Sequence, residues 1–128
     1  MMLRQTRFGK DGNCWAACIA SWVGCPLGDV PDFSEMPGPW LLRCEEWLAA
    51  RGYEIRLVAG QAAGAAKASG ALLIAGGISP RGVDHSVLWR GNAMVFDPHP
   101  SDAGLVGEPD WFAIIERKER CRDKETSP

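Results

Sequence analysis

The chain has 128 residues and a mass of 13.9 kDa, the size of one domain, and its 46% hydrophobic content is enough to bury a core. Fourteen lysines and arginines against 16 aspartates and glutamates leave a formal charge of −2 and a pI near 5.6. That balance argues against a nucleic-acid partner, which calls for a basic excess.

The first twelve residues are polar and end in the turn signal Lys10-Asp11-Gly12. They have a basic start but no apolar run, so no secretory signal is expected. Asn13 is placed to cap a helix over 14–23, which Gly24 and Pro26 stop. Trp15, Ile19, Trp22 and Val23 share one of its faces, with alanines between, so this helix is expected to be largely buried. The stretch 15–25 is broken by Ser21 and Gly24 and falls short of the roughly 20 residues that a membrane span needs, so no membrane partner is expected. Residues 24–39 carry four prolines and read as an irregular connection.

A second helix follows over 40–50, with Trp40, Leu41, Cys44, Trp47 and Leu48 on one apolar stripe, Pro39 in its first turn and Gly52 as its cap. Tyr53, Ile55 and Leu57 alternate with charged residues as in a half-exposed strand. The Ala- and Gly-rich segment 59–71 fits either a short helix or a mobile loop. Further strands are expected at 71–75, 85–90, 93–97 and 111–115, with Arg90-Gly91-Asn92 turning a hairpin. Helices followed by strands predict an α+β fold with a mainly antiparallel sheet, a single domain over 1–116 and a charged, frayed tail over 117–128.

Five cysteines, Cys14, Cys18, Cys25, Cys44 and Cys121, are an odd set and too few for a disulfide framework. Free thiols and a reducing, cytoplasmic location are therefore expected. Cys14 opens the first helix, where the helix dipole stabilises a thiolate. His85 starts a strand and Asp97 closes the next strand of the same hairpin, so the two side chains can lie side by side. Together they predict a nucleophile, a general base and the residue that orients that base. Taken singly, each also has an ordinary structural reading, as a small core thiol, a satisfied polar residue and a turn starter.

The run Gly12-Asn13-Cys14-Trp15-Ala16-Ala17-Cys18, followed by Asp84-His85-Ser86-Val87 and Phe96-Asp97-Pro98, resembles the papain-like cysteine peptidases, within them the bacteriocin-processing double-glycine peptidase group. With Val30-Pro31-Asp32-Phe33, Ser79-Pro80-Arg81-Gly82 and Asp97-Pro98-His99-Pro100-Ser101, the chain also resembles small uncharacterised bacteriophage proteins. The resemblance spans about residues 5–105. It implies a papain-like fold with the cysteine-bearing helix packed on the sheet, and a Cys14–His85–Asp97 triad needing no metal or organic cofactor. It also implies a protein or peptide substrate, belonging to a bacterial host if the chain is phage-encoded, in which a peptide, isopeptide or related amide bond is cleaved.

The family places a glutamine ahead of the cysteine to help bind the oxyanion. Gln5 is the only glutamine there, at a longer spacing of nine residues, so either Gly9-Lys10-Asp11-Gly12 is an insertion or Asn13 or a backbone amide serves instead. Trp15, Asp84, Ser86 and His99 are candidates for substrate contact, although Trp15 also fits a core position and His99 fits a rigid loop or the third triad position, as in some cell-wall amidases. Two readings from other classes stand beside the hydrolase. One is a catalytically inactive papain-like scaffold acting as a protein-binding module. The other is a zinc module built from Cys14, Cys18, His85 and His99.

Overall fold

The computed structural model describes residues 2–9 and 12–118. They fall into two compact units, one of the described residues up to 32 with 57–114, and the other of 33–56 with 115–118. The architecture is α+β. Five strands, β1 (Tyr53–Ala59), β2 (Leu73–Ile78), β3 (Asp84–Arg90), β4 (Ala93–Phe96) and β5 (Trp111–Arg117), form one sheet in the order β1-β5-β2-β3-β4. The β2–β3, β2–β5 and β3–β4 pairings are all antiparallel.

In the first unit, helix α1 spans Cys14–Val23, as the residue pattern predicts. Gly24 ends it in the left-handed region at φ 87°, donating its N–H to Ala20 O at 2.8 Å, and Pro26 prevents resumption. Every residue from Ala16 to Ser21 is buried, so this helix is an interior element whose small side chains allow close packing. The one hydroxyl among them is satisfied, because Ser21 Oγ accepts the Leu3 N–H at 2.8 Å.

The β2–β3 register pairs Leu73 with Trp89 and Ala75 with Val87, and β5 sets Phe112 opposite Ala75. Leu73, Ala75, Val87, Phe112 and Ile114 therefore share a face and pack with Ala63 into a core. The opposite face carries Ile74, Gly76, Leu88, Trp111 and Ala113. The open segment before β2 resolves into a one-turn 3-10 helix, Gly60–Ala62, and a short helix α2, Gly64–Ala68.

Strand β2 begins two residues later than expected and runs on through Gly76 and Gly77 to Ile78. Glycine weakens a strand on intrinsic preference, but here a large neighbour dictates it. Trp111 is the cross-strand partner of Gly76, and a Cβ at Gly76 would fall within the Trp111 indole. The indole lies across the glycine and meets Trp15 of α1 at 5.8 Å between ring centroids.

In the second unit, α3 spans Trp40–Ala49. Cys44 and Leu48 are buried, and Trp47 meets the buried Phe33 ring edge-on at 6.1 Å. Trp40, expected on that apolar stripe, is 41% exposed in the first turn. Pro39 is the N-cap residue rather than part of the first turn, and the C-cap is Ala50. Gly52 takes the left-handed conformation two residues further on, leading into β1. Between α1 and α3 the chain forms two single 3-10 turns, Leu27–Asp29 and Phe33–Glu35. The expected frayed tail lies, apart from Arg117 and Lys118, outside the described residues. Arg117 itself belongs to β5.

Gly76→Ala is expected to destabilise the protein by about 1–3 kcal/mol through overpacking, lowering Tm by roughly 5–10 °C. In a double-mutant cycle measured by thermal denaturation, most of that loss should vanish in a Trp111→Ala background.

Candidate active site

Cys14 is the first residue of α1, and the segment before it sets its surroundings. Asn13 makes no side-chain cap hydrogen bond, contrary to the sequence expectation. Its Oδ1 instead accepts the N–H groups of Thr6 (2.9 Å) and Arg7 (2.8 Å), and its Nδ2 donates to Thr6 Oγ1 at 2.9 Å. Those two backbone donors compete successfully with the helix end for the same amide oxygen. The chain curls back at this point, with the Gly12 N–H on Gly9 O at 3.0 Å and the Asn13 N–H on Arg7 O at 3.2 Å. A Cβ on Gly12 would meet Arg7 O and Gly9 O at 3.0 Å and Gln5 Nε2 at 3.3 Å, so glycine permits this close approach. The curl absorbs the nine-residue spacing and brings the Gln5 amide beside Gly12, two residues before Cys14. Gln5 is 6% exposed, and its Nε2 donates to Arg7 O at 2.8 Å. Its Oε1 is buried and has no hydrogen-bond partner among the described residues.

Strand β3 and the residue after β4 bring the two other candidates together. His85 Nε2 lies 2.7 Å from Asp97 Oδ1, with both side chains almost wholly buried at 2% and 0% exposure. The Cys14 thiol is close enough to the His85 ring and to Ser86 for both to act on its ionisation. With Nε2 taken by Asp97, Nδ1 is the ring nitrogen left for Cys14. The imidazole thus stands between a carboxylate and a thiol.

The electrostatics follow from that line. Burial pushes the Cys14 thiol up, but the hydrogen bond and positive charge of His85, helped by Ser86, outweigh it and the net shift is down. Burial disfavours the His85 imidazolium, yet its bonds to Asp97 and Cys14 and their negative charges raise it to about 9. Burial also raises Asp97, and it is overcome by the hydrogen bonds from His85, His99 and Gly104, so the carboxyl sits below its ordinary value. Lowering the thiol and raising the imidazole both favour the thiolate–imidazolium form over the neutral pair.

Asp97 is held by its own loop. Oδ1 also accepts the His99 N–H at 2.8 Å, and Oδ2 accepts the Gly104 N–H at 2.8 Å. Arg4 clamps the same loop through Nη1, which donates to Asp97 O and His99 O at 3.0 Å and pairs with Asp102 at 2.7 Å. The Gln5 N–H adds a bond to Pro98 O at 3.0 Å. Arg4 and Gly104 are the residues that sequence reading missed. Nothing near Arg4 in the chain links it to a loop more than ninety residues away.

The other candidates separate. Ser86 stands beside the thiol itself. His99 meets the His85 ring edge-on at 6.2 Å and the Phe8 ring at 5.3 Å. Trp15 is half-buried against Trp111. Asp84 is exposed at the start of β3, opposite Ile78. Cys18, one helical turn from Cys14, is buried, and burial followed by the negative charges of Cys14 and Asp97 pushes its thiol well up. Among the described residues there is no disulfide, no group of three or more His, Cys, Asp or Glu able to hold a metal ion, and no helix long and apolar enough to cross a membrane. Cys121 lies outside the described residues.

No family model matches this chain, and no match was found among curated proteins or solved structures.

Asp97→Asn keeps an acceptor for His85 but removes the charge and turns an N–H₂ group against the backbone donors. The His85 pKa should fall from about 9 towards the ordinary ~6.5, read from its imidazole resonances in an NMR titration.

Proposed function

We propose that this chain is a small papain-like cysteine hydrolase that cleaves a peptide, isopeptide or related amide bond. The observation that carries this reading is the buried His85 ring, bonded through Nε2 to Asp97 Oδ1 at 2.7 Å, with the Cys14 thiol and the imidazole acting on each other. A helix opening on the nucleophile and an antiparallel hairpin supplying base and orienter also fit the papain-like arrangement.

The resting site is a Cys14 thiolate beside a His85 imidazolium. The thiolate attacks the carbonyl carbon, and the oxyanion forms at the start of α1, where no side chain caps the helix. The Cys14 N–H and the second N–H on Gln5 Nε2, one being held by Arg7 O, are the donors assigned to it. The imidazolium then gives its proton to the departing amine, the C–N bond breaks and a thioester remains. The neutral imidazole takes a proton from water as the water attacks the thioester. The acid product leaves and the ion pair is restored. Asp97 fixes the ring and keeps the imidazolium favourable throughout.

A protein or peptide substrate and a cytoplasmic site of action belong to the same reading. The resemblance to phage proteins supports a bacterial host protein as the target.

Alkylation of Cys14 by iodoacetamide should be fast below pH 7, with the alkaline limb of any hydrolysis near pH 9, where the imidazolium is lost. His85→Ala removes the main influence lowering the thiol, and alkylation at pH 6 should slow by at least about tenfold. Equal rates in the two proteins, or the behaviour of an ordinary thiol of pKa ~8.5 in wild type, would replace this reading with the protein-binding module.

A further inference from the structure

Beside the triad, on the edge of the His85 ring, stands a group of residues that the mechanism does not use. His99 Nδ1 lies 3.0 Å from the Ser101 N–H, which can only donate, so Nδ1 is an acceptor and the neutral ring carries its proton on Nε2. Ser101 Oγ lies 2.9 Å from the same nitrogen, while accepting from Arg81 Nη1 at 3.1 Å and from the Ala103 N–H at 3.2 Å. The serine hydroxyl thus joins Arg81 to His99 in one hydrogen-bonded chain. Burial and then the Arg81 charge hold the His99 pKa below its ordinary value, so at neutral pH the ring is a neutral N–H donor.

Arg81 is exposed, and among the described residues no carboxylate lies within ion-pair distance of it. The carboxylates nearest His99 are engaged elsewhere. Asp102 is held by Arg4, and Asp97 has three donors of its own. The rim next to the general base therefore offers an unneutralised guanidinium and an imidazole N–H, a donor set suited to a carboxylate.

We propose that Arg81 and His99 form a carboxylate-binding subsite beside the Cys14–His85 pair, selecting substrates with a carboxylate close to the scissile bond. This rests on the hydrolase reading. The carboxylate is either an acidic side chain or a free chain end.

Three electrophiles distinguish these: N-iodoacetyl-glutamine amide (neutral), N-iodoacetyl-glutamate amide (side-chain carboxylate) and N-iodoacetyl-glutamine (terminal carboxylate). At low salt, one of the acidic probes should alkylate Cys14 roughly three- to tenfold faster than the neutral probe, and which one it is identifies the source. Arg81→Gln should lower the acidic-to-neutral rate ratio at least about threefold, and the His85 charge, present in both proteins, cancels when their two ratios are compared. A ratio unchanged by Arg81→Gln, or no preference in wild type, overturns the subsite. The hydrolase reading fails separately, on neutral-probe rates that do not depend on His85. In that event the subsite is still read directly, because the chain has only two histidines. N-acetyl-glutamate amide and N-acetyl-glutamine should each be titrated, and at least one should shift the His99 ring resonances saturably in wild type but not in Arg81→Gln. No saturable shift with either overturns it.

Discussion

A buried carboxylate needs hydrogen-bond donors at both oxygens, and the site depends on how Asp97 obtains them. Its two oxygens take one side-chain donor and two backbone donors, from His85, His99 and Gly104. Each bond has a consequence elsewhere. The bond to His85 fixes which ring nitrogen faces the carboxylate, and so which faces Cys14. The bonds to His99 and Gly104 fold the following loop around the carboxylate, and Arg4 and Gln5 tie the N-terminal segment to that loop. The electrostatic dependence runs the same way: an ionised Asp97 sustains the imidazolium, and the imidazolium sustains the thiolate. Removing one member of such a network leaves the others buried and unmatched, so the energies are not separable residue by residue.

Cys14 and Cys18 show how completely surroundings decide the chemistry of one residue type. They lie one turn apart on the same helix, and burial raises both thiols. Only Cys14 has an imidazole in contact. Cys18 has instead the negative charges of Cys14 and Asp97 near it, so ionising it costs more than burial alone would impose. A cationic ring activates one thiol, and two negative groups silence the other.

The bounds of α1, the strand hairpin and the order cysteine, histidine, aspartate were legible in the sequence because each rests on local chemistry. Gly24 and Pro26 stop a helix whatever lies around it, and Arg90-Gly91-Asn92 turns a hairpin that carries His85 on one strand and Asp97 just past the end of the other. What was not legible depends on contacts distant in the chain. Gly76 and Gly77 read as the end of a strand, and only the Trp111 indole, more than thirty residues away, explains glycine inside it. Arg4 and Gly104 act on Asp97 from opposite ends of the first unit. The spacing of Gln5 from Cys14 looked too long because sequence distance cannot show the chain curling back at Gly12.

Asn13 presents the clearest conflict between local preference and what the fold does. An asparagine before a helix ordinarily caps it, and giving up such a cap costs about 1 kcal/mol. Here the side chain turns away and satisfies Thr6 and Arg7 instead. Those two bonds hold the segment that carries Arg4 and Gln5, so the asparagine that might have closed the helix end organises the surroundings of the cysteine at that end. A helix whose only task was packing would gain from the cap. A helix whose first turn must receive a developing negative charge gains from leaving it open, with the dipole unscreened by a side chain of its own. The turned-away Asn13 is thus an independent support for the hydrolase reading, resting on neither the titration of Cys14 nor the alignment of His85.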